Sequence, residues 1–166
     1  MPLALNPVNR LKVKSVVGGL RSVVSDRFPA VIVHGLDDAR RALSAGLPVT
    51  LLSAPGAALY AGCGWWRALV ARAGEEFRGT AMADILDCGD GPGQALAALR
   101  IGQRRLVLAP GAPGWNAVAA IALQGGGEVL RRAPPALDMA ARDATHHLHS
   151  WLQIPTIQGD SLPPVS

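Results

Sequence analysis

Beyond Lys14 the chain contains no lysine. Chemistry that needs a lysine amine in the pocket, Schiff-base formation above all, is therefore excluded from everything after the first 14 residues. Cysteine is almost as scarce. Cys63 and Cys88 are the only two and form no CxxC pair, so no disulfide framework is expected and the cytoplasm is the expected compartment. Aromatic residues make up 4% of the chain and none is interleaved with the early basic residues, as binding of single-stranded nucleic acid would require. Nucleic acid is thus not an expected partner. No run of 18 apolar residues occurs, so no membrane span is predicted. The start, MPLALNPVNRLKVK, places its charges after a short apolar patch, the reverse of a secretory signal. Charged residues reach only 17% against 49% apolar, which argues against disorder.

The chain has 166 residues, enough for one domain with a core of its own. Its net charge of +4 is unevenly placed. Arg10, Lys12, Lys14, Arg21 and Arg27 stand against Asp26 alone in residues 1–29, and the remainder is neutral. The expected organisation is a basic lead-in over 1–29, a single α/β domain over 30–152 and a mobile Pro-rich tail over 153–166.

Within the domain, five short apolar segments read as strands: AVIVH (30–34), PVTLLS (48–53), ADILDC (83–88), RLVLA (105–109) and GEVLR (127–131). The first four are nearly continuous in apolar character, as strands covered on both faces are. Helix-like segments separate them, opened by Asp37-Asp38, Pro55-Gly56, Pro92 and Pro113 and closed by glycines. A last helix is read from the spacing of Leu137, Ala141, Ala144, Leu148 and Trp151. This alternation predicts a three-layer α/β/α sandwich with a mainly parallel five-stranded sheet, flavodoxin-like or Rossmann-like, in the common order 2-1-3-4-5. A half barrel that pairs with a second copy is the architectural alternative. A weak internal repeat fits either: AVIVHGLD aligns with ADILDCGD, and VTLLSAPG with RLVLAPG.

In parallel sheets, ligands bind beyond the carboxyl ends of the strands. With that strand order, the loops after the first and third strands would face each other and bring together His34, Asp37, Asp38, Asp87 and Asp90. The expected function is binding of a small polar or phosphorylated ligand by His34, Asp37, Asp87, Gly89, Asp90, Gly91 and Gly93. The carboxylates would accept from ligand hydroxyls, and the glycine amides would approach the ligand backbone-first. No nucleophile, base and orienter stand out together, so the sequence assigns no reaction. It fits neither GxGxxG nor a P-loop.

The run Ile85-Leu86-Asp87-Cys88-Gly89-Asp90-Gly91-Pro92-Gly93 resembles the first motif of class I S-adenosylmethionine methyltransferases, an acid followed by alternating glycines. That resemblance implies an S-adenosylmethionine-binding fragment, although here the strand is third rather than first and no acid ends the next one. Residues 30–150 also resemble a response-regulator receiver domain, with Asp87 at the phosphoacceptor position. The acidic pair that holds magnesium in that family is replaced by Val33-His34.

Three further features carry expectations. Cys88 and His34 could form a thiol–imidazole pair. His146, His147 and His149, with Asp143, have zinc-like spacing but point to different sides of a helix, so no metal is expected. In GCGWW (62–66), the helical stripe places Trp66 in the core and leaves Trp65 exposed. The alternative reading is a non-enzymatic interaction module, a homo-oligomer joined through Trp65 and Trp151.

Overall fold

The computed structural model describes residues 28–154. Six strands form one sheet: β1 Ala30–Val33, β2 Val49–Ser53, β3 Met82–Asp87, β4 Arg105–Val107, β5 Glu128–Leu130 and β6 Ala136–Asp138. The intervening helices are α1 Leu36–Ser44, α2 Ala57–Tyr60, α3 Cys63–Glu76, α4 Pro92–Arg100 and α5 Trp115–Gln124, and α6 Ala144–Leu152 follows β6. All neighbouring strands are parallel, so the expected α/β architecture is the one observed, with six strands rather than five.

The strand order is β5-β4-β3-β2-β1-β6, not 2-1-3-4-5. Each of β2 to β5 pairs with its predecessor, as short βαβ units with adjacent helices do. With right-handed crossovers that all step the same way, those helices lie on one face. The packing agrees. Val31, Leu51, Leu86, Leu106 and Leu137 meet side chains of all six helices in one cluster. The alternate residues Leu52, Ile85 and Val107 form a second cluster with Ile32, Leu130 and Ala136, made of strand residues only. Among the described residues the helices therefore lie on one face of the sheet.

The link between β5 and β6 constrains the shape. These are the two edge strands, and only residues 131–135 join them. From Leu130 to Ala136 is six Cα steps, about 22 Å at full extension. Five strand spacings of about 4.8 Å come to about 24 Å, before any offset along the strands. Twist leaves the distance between strand centres unchanged, so the sheet must curl to bring its edges together. The helix side is filled, and the curl is therefore away from the helices.

Two elements differ from the sequence expectation. The second helix is split at Gly62, whose φ of 87° ends α2 and caps α3. The last helix begins at Ala144, not Leu137. The Ala136–Asp138 stretch pairs with the free edge of β1 instead. The lead-in up to residue 27 and the tail from residue 155 lie outside the described residues.

Candidate functional site

Parallel pairing places the carboxyl ends of all six strands on one rim. The predicted face-to-face meeting of the loops after β1 and β3 does not occur, because β2 runs between them. The rim instead joins His34 to a residue that sequence reasoning misses. His34 follows β1, and its Nε2 lies 2.7 Å from Asp138 Oδ1 at the end of β6. The backbone N–H of His34 donates to Asp38 Oδ2 at 2.9 Å, which fixes the turn into α1. Asp138 Oδ1 also accepts from the Ala140 N–H at 2.9 Å. Burial works to raise the Asp138 carboxyl, but the Ala140 amide and the His34 ring outweigh it and hold the group below its ordinary value. A carboxylate can only accept, so the proton of a neutral His34 ring sits on Nε2 and Nδ1 presents a lone pair. Both side chains remain open to solvent, at 39% and 46% exposure.

Asp138 does have a signal. Ala-Leu-Asp in β6 repeats the Ile-Leu-Asp that ends β3, an apolar pair followed by an acid at the carboxyl end of a strand. The apolar spacing of Leu137 with the following helix conceals it.

Asp87 is built into the framework. It is 8% exposed, and its Oδ1 accepts from the Gly56 N–H at 3.0 Å and the Gly89 N–H at 2.8 Å. Its own N–H donates to Ser53 Oγ at 2.8 Å. The carboxylate thus ties the loop after β2 to the loop after β3. The glycines around it make room for a side chain. A Cβ at Gly89 would meet Leu59 Cδ1 at 2.9 Å, and one at Gly91 would meet Leu59 Cδ2 at 2.7 Å. Leu59 of α2 thus lies over the stretch read as a ligand cradle. Only Gly93 is open there, since a methyl group added to it would meet nothing within 4 Å. Asp90 is exposed and does not cap α4; Gly91 is the N-cap and Pro92 opens the helix. Asp37 is 89% exposed and pairs with Arg40 at 3.0 Å on the surface of α1.

Replacing Asp87 tests this structural role. Asp87→Ala leaves two loop amides without their acceptor, at an expected cost of about 1–3 kcal/mol. Asp87→Asn, which keeps an oxygen at Oδ1, is expected to cost less. Urea unfolding measures both, and an alanine variant as stable as the parent would contradict the assignment.

The other candidates resolve plainly. Cys88 is fully buried, on the helix side of the sheet. Burial, and then the Asp87 charge, pushes its thiol up to about 12, so it is not a nucleophile. His146, His147 and His149 are all exposed along α6, and no group of metal-ligating side chains occurs among the described residues. Trp66 is fully buried, whereas Trp65 is 37% exposed beside it. Trp151 is half-buried, and its Nε1 donates to the Ala30 carbonyl at 2.8 Å, docking α6 on β1. Two open cavities, of about 420 and 310 Å³, lie at the opposite, amino rim and share the wall Gly102–Arg104. Arg100 and Arg104 there stand near the C-termini of α4 and α5, where the helix dipole favours a cation on its own account. No helix among the described residues is long and apolar enough to cross a membrane.

No protein-family model matches the chain, and no curated protein matches it in sequence.

Proposed function

We propose that the carboxyl rim binds a small polar or phosphorylated ligand beside His34. The supporting observation is the His34–Asp138 pair and its place in the winding. From β1 the chain steps one way through β2 to β5, then returns to the other side of β1 as β6. The boundary of β1 and β6 is therefore the reversal point at which open parallel sheets take their ligands. Asp138 orients the imidazole, and its free Nδ1 accepts from a ligand hydroxyl or, once protonated, pairs with a phosphate. Asp87 supports the loops and is not the principal ligand contact. With two free thiols and no disulfide among the described residues, the cytoplasm suits this reading.

A thermal-shift screen against nucleotides, S-adenosylmethionine and sugar phosphates tests it. A ligand at 100 times its Kd is expected to stabilise the parent by about 2.7 kcal/mol. That gain is expected to disappear in His34→Gln and Asp138→Asn. A gain that survives both variants, or no gain from any class, sinks the assignment.

A second reading rests on the exposed apolar group formed by Leu59, Tyr60 (70% exposed) and Trp65 around the α2–α3 break. It gives the chain a surface for a second copy, and makes the module one of assembly rather than ligand binding.

A further inference from the structure

The amino rim of the sheet gathers arginines whose side chains hold no partner among the described residues. Arg40, Arg41, Arg72 and Arg105 each meet a carboxylate. Arg67, Arg100 and Arg104 make no hydrogen bond or ion pair there. All three stand on the walls of the two amino-rim cavities: Arg100 and Arg104 on the larger, Arg67 and Arg104 on the smaller. Arg67 also reaches the shared wall, where its Nη1 lies 3.1 Å from the place a Cβ on Gly102 would take.

Helix ends do not account for this gathering. Arg67 lies in the second turn of α3, far from its C-terminus. The last carbonyls of α4 and α5 already accept backbone amides: Leu99 from Gly102, Ala98 from Gln103, Leu123 from Gly126 and Ala122 from Gly127. Two helix ends bring about half a negative charge each, against three guanidinium charges, so the field over the shared wall is positive. The acid on these walls is Asp84, in the smaller cavity, and its Oδ2 accepts from Trp66 Nε1 at 3.0 Å and Gln103 Nε2 at 2.8 Å. Among the described residues no acid lines the larger cavity. Its volume of about 420 Å³ falls within the roughly 300–1,000 Å³ of small-molecule sites. Between α4 and α5 its wall is aliphatic, with Leu96 and Leu99 on one side and Ala122 and the 47% exposed Ile121 on the other.

We propose that the larger cavity is a second binding site, for a small amphiphilic anion. Arg100 and Arg104 hold its carboxylate or phosphate head, and Arg67 adds its charge from across the shared wall. The planar guanidinium fork matches either head. The aliphatic body of the ligand lies between α4 and α5 against Ile121. This site is independent of the ligand proposed at His34, since it lies at the other end of the strands.

Isothermal titration of the full chain with sodium octanoate and with octyl phosphate tests this. At least one is expected to bind with one molecule per chain, below its micelle concentration. Acetate, inorganic phosphate and octanol each lack one half of the ligand and are expected to bind at least tenfold more weakly. Arg104→Gln is expected to weaken the amphiphile by about tenfold or more, the scale of one charged hydrogen bond. Ile121→Asp, which sets a carboxylate in the aliphatic wall, is expected to abolish binding. Arg142→Gln removes the same charge from an exposed loop after β6 and is expected to change nothing. Heat from neither amphiphile, octanol or the bare anions binding as tightly, or equal losses in Arg104→Gln and Arg142→Gln would each overturn the proposal. The arginine variants decide it even where Ile121→Asp fails to fold, because the Arg104 side chain holds no partner among the described residues.

Discussion

Gly127→Ala will open the β4–β5 edge of the sheet. A Cβ at Gly127 would lie 2.2 Å from the Arg104 carbonyl oxygen and 3.0 Å from its carbon, so backbone, not a flexible side chain, must give way. The move disturbs two hydrogen bonds that begin β5: Gly127 N–H to the Ala122 carbonyl and Glu128 N–H to the Arg104 carbonyl, each 2.8 Å. Overpacking of this kind costs about 1–3 kcal/mol, with about 1 kcal/mol more for each hydrogen bond lost. The variant should therefore lose about 3 kcal/mol in urea unfolding. Amide exchange should speed up first at Leu108 and Glu128, whose N–H groups bond to Leu130 and Arg104. Gly79→Ala is the matched control. Nothing lies within 4 Å of its added methyl and its φ is not positive, so it should be neutral or slightly stabilising. Equal behaviour of the two variants would show that β5 does not pack as described.

Trp66→Ala is the second large effect. Trp66 heads the fully buried side chains in size, and its Nε1 donates to Asp84 Oδ2 at 3.0 Å. The same oxygen accepts from Gln103 Nε2 at 2.8 Å, so the indole belongs to a polar contact set inside the helix layer. Truncation to alanine empties that space and should cost about 3–5 kcal/mol. This is a large share of the roughly 5–15 kcal/mol typical of a domain. Trp66→Phe keeps an aromatic ring but drops the donor, and should cost about 1 kcal/mol because Gln103 still satisfies the carboxylate. Circular dichroism during denaturation separates them. A loss in Trp65→Ala as large as in Trp66→Ala would mean that the two indoles occupy environments other than those described.

The five apolar segments legible in the sequence all contain strands, because a short Val/Leu/Ile-rich segment bounded by turn residues has few other uses inside an α/β chain. Strand order is less accessible. Whether a sixth strand exists, and on which side of β1 it lands, depends on an edge offered by residues about 100 positions away. No local pattern records that. Leu137 shows the mechanism of the error. Its apolar side chain satisfies a helical stripe and a three-residue strand equally well. The candidate site inherits the same error. His34 is legible as a rim residue, but its expected partners follow from an assumed adjacency, while the real partner sits in the unrecognised strand. The glycines of 89–93 suggest closeness to a ligand, and two of them serve closeness to Leu59. An enforced close approach can be read from sequence; what makes the approach cannot.

The pairing of β1 with β6 has a consequence for the newborn chain. The β1–β5 units can assemble in order of synthesis, since each new strand docks beside its predecessor. Throughout that time β1 keeps one side unpaired, an exposed ladder of amides and carbonyls of the kind that recruits foreign strands. Only when residues 136–138 emerge from the ribosome does β1, the earliest of the described strands, gain its partner β6. Truncated products ending near residue 130 should therefore be the aggregation-prone form of this protein, and their sticky edge would be the side of β1 that β6 covers.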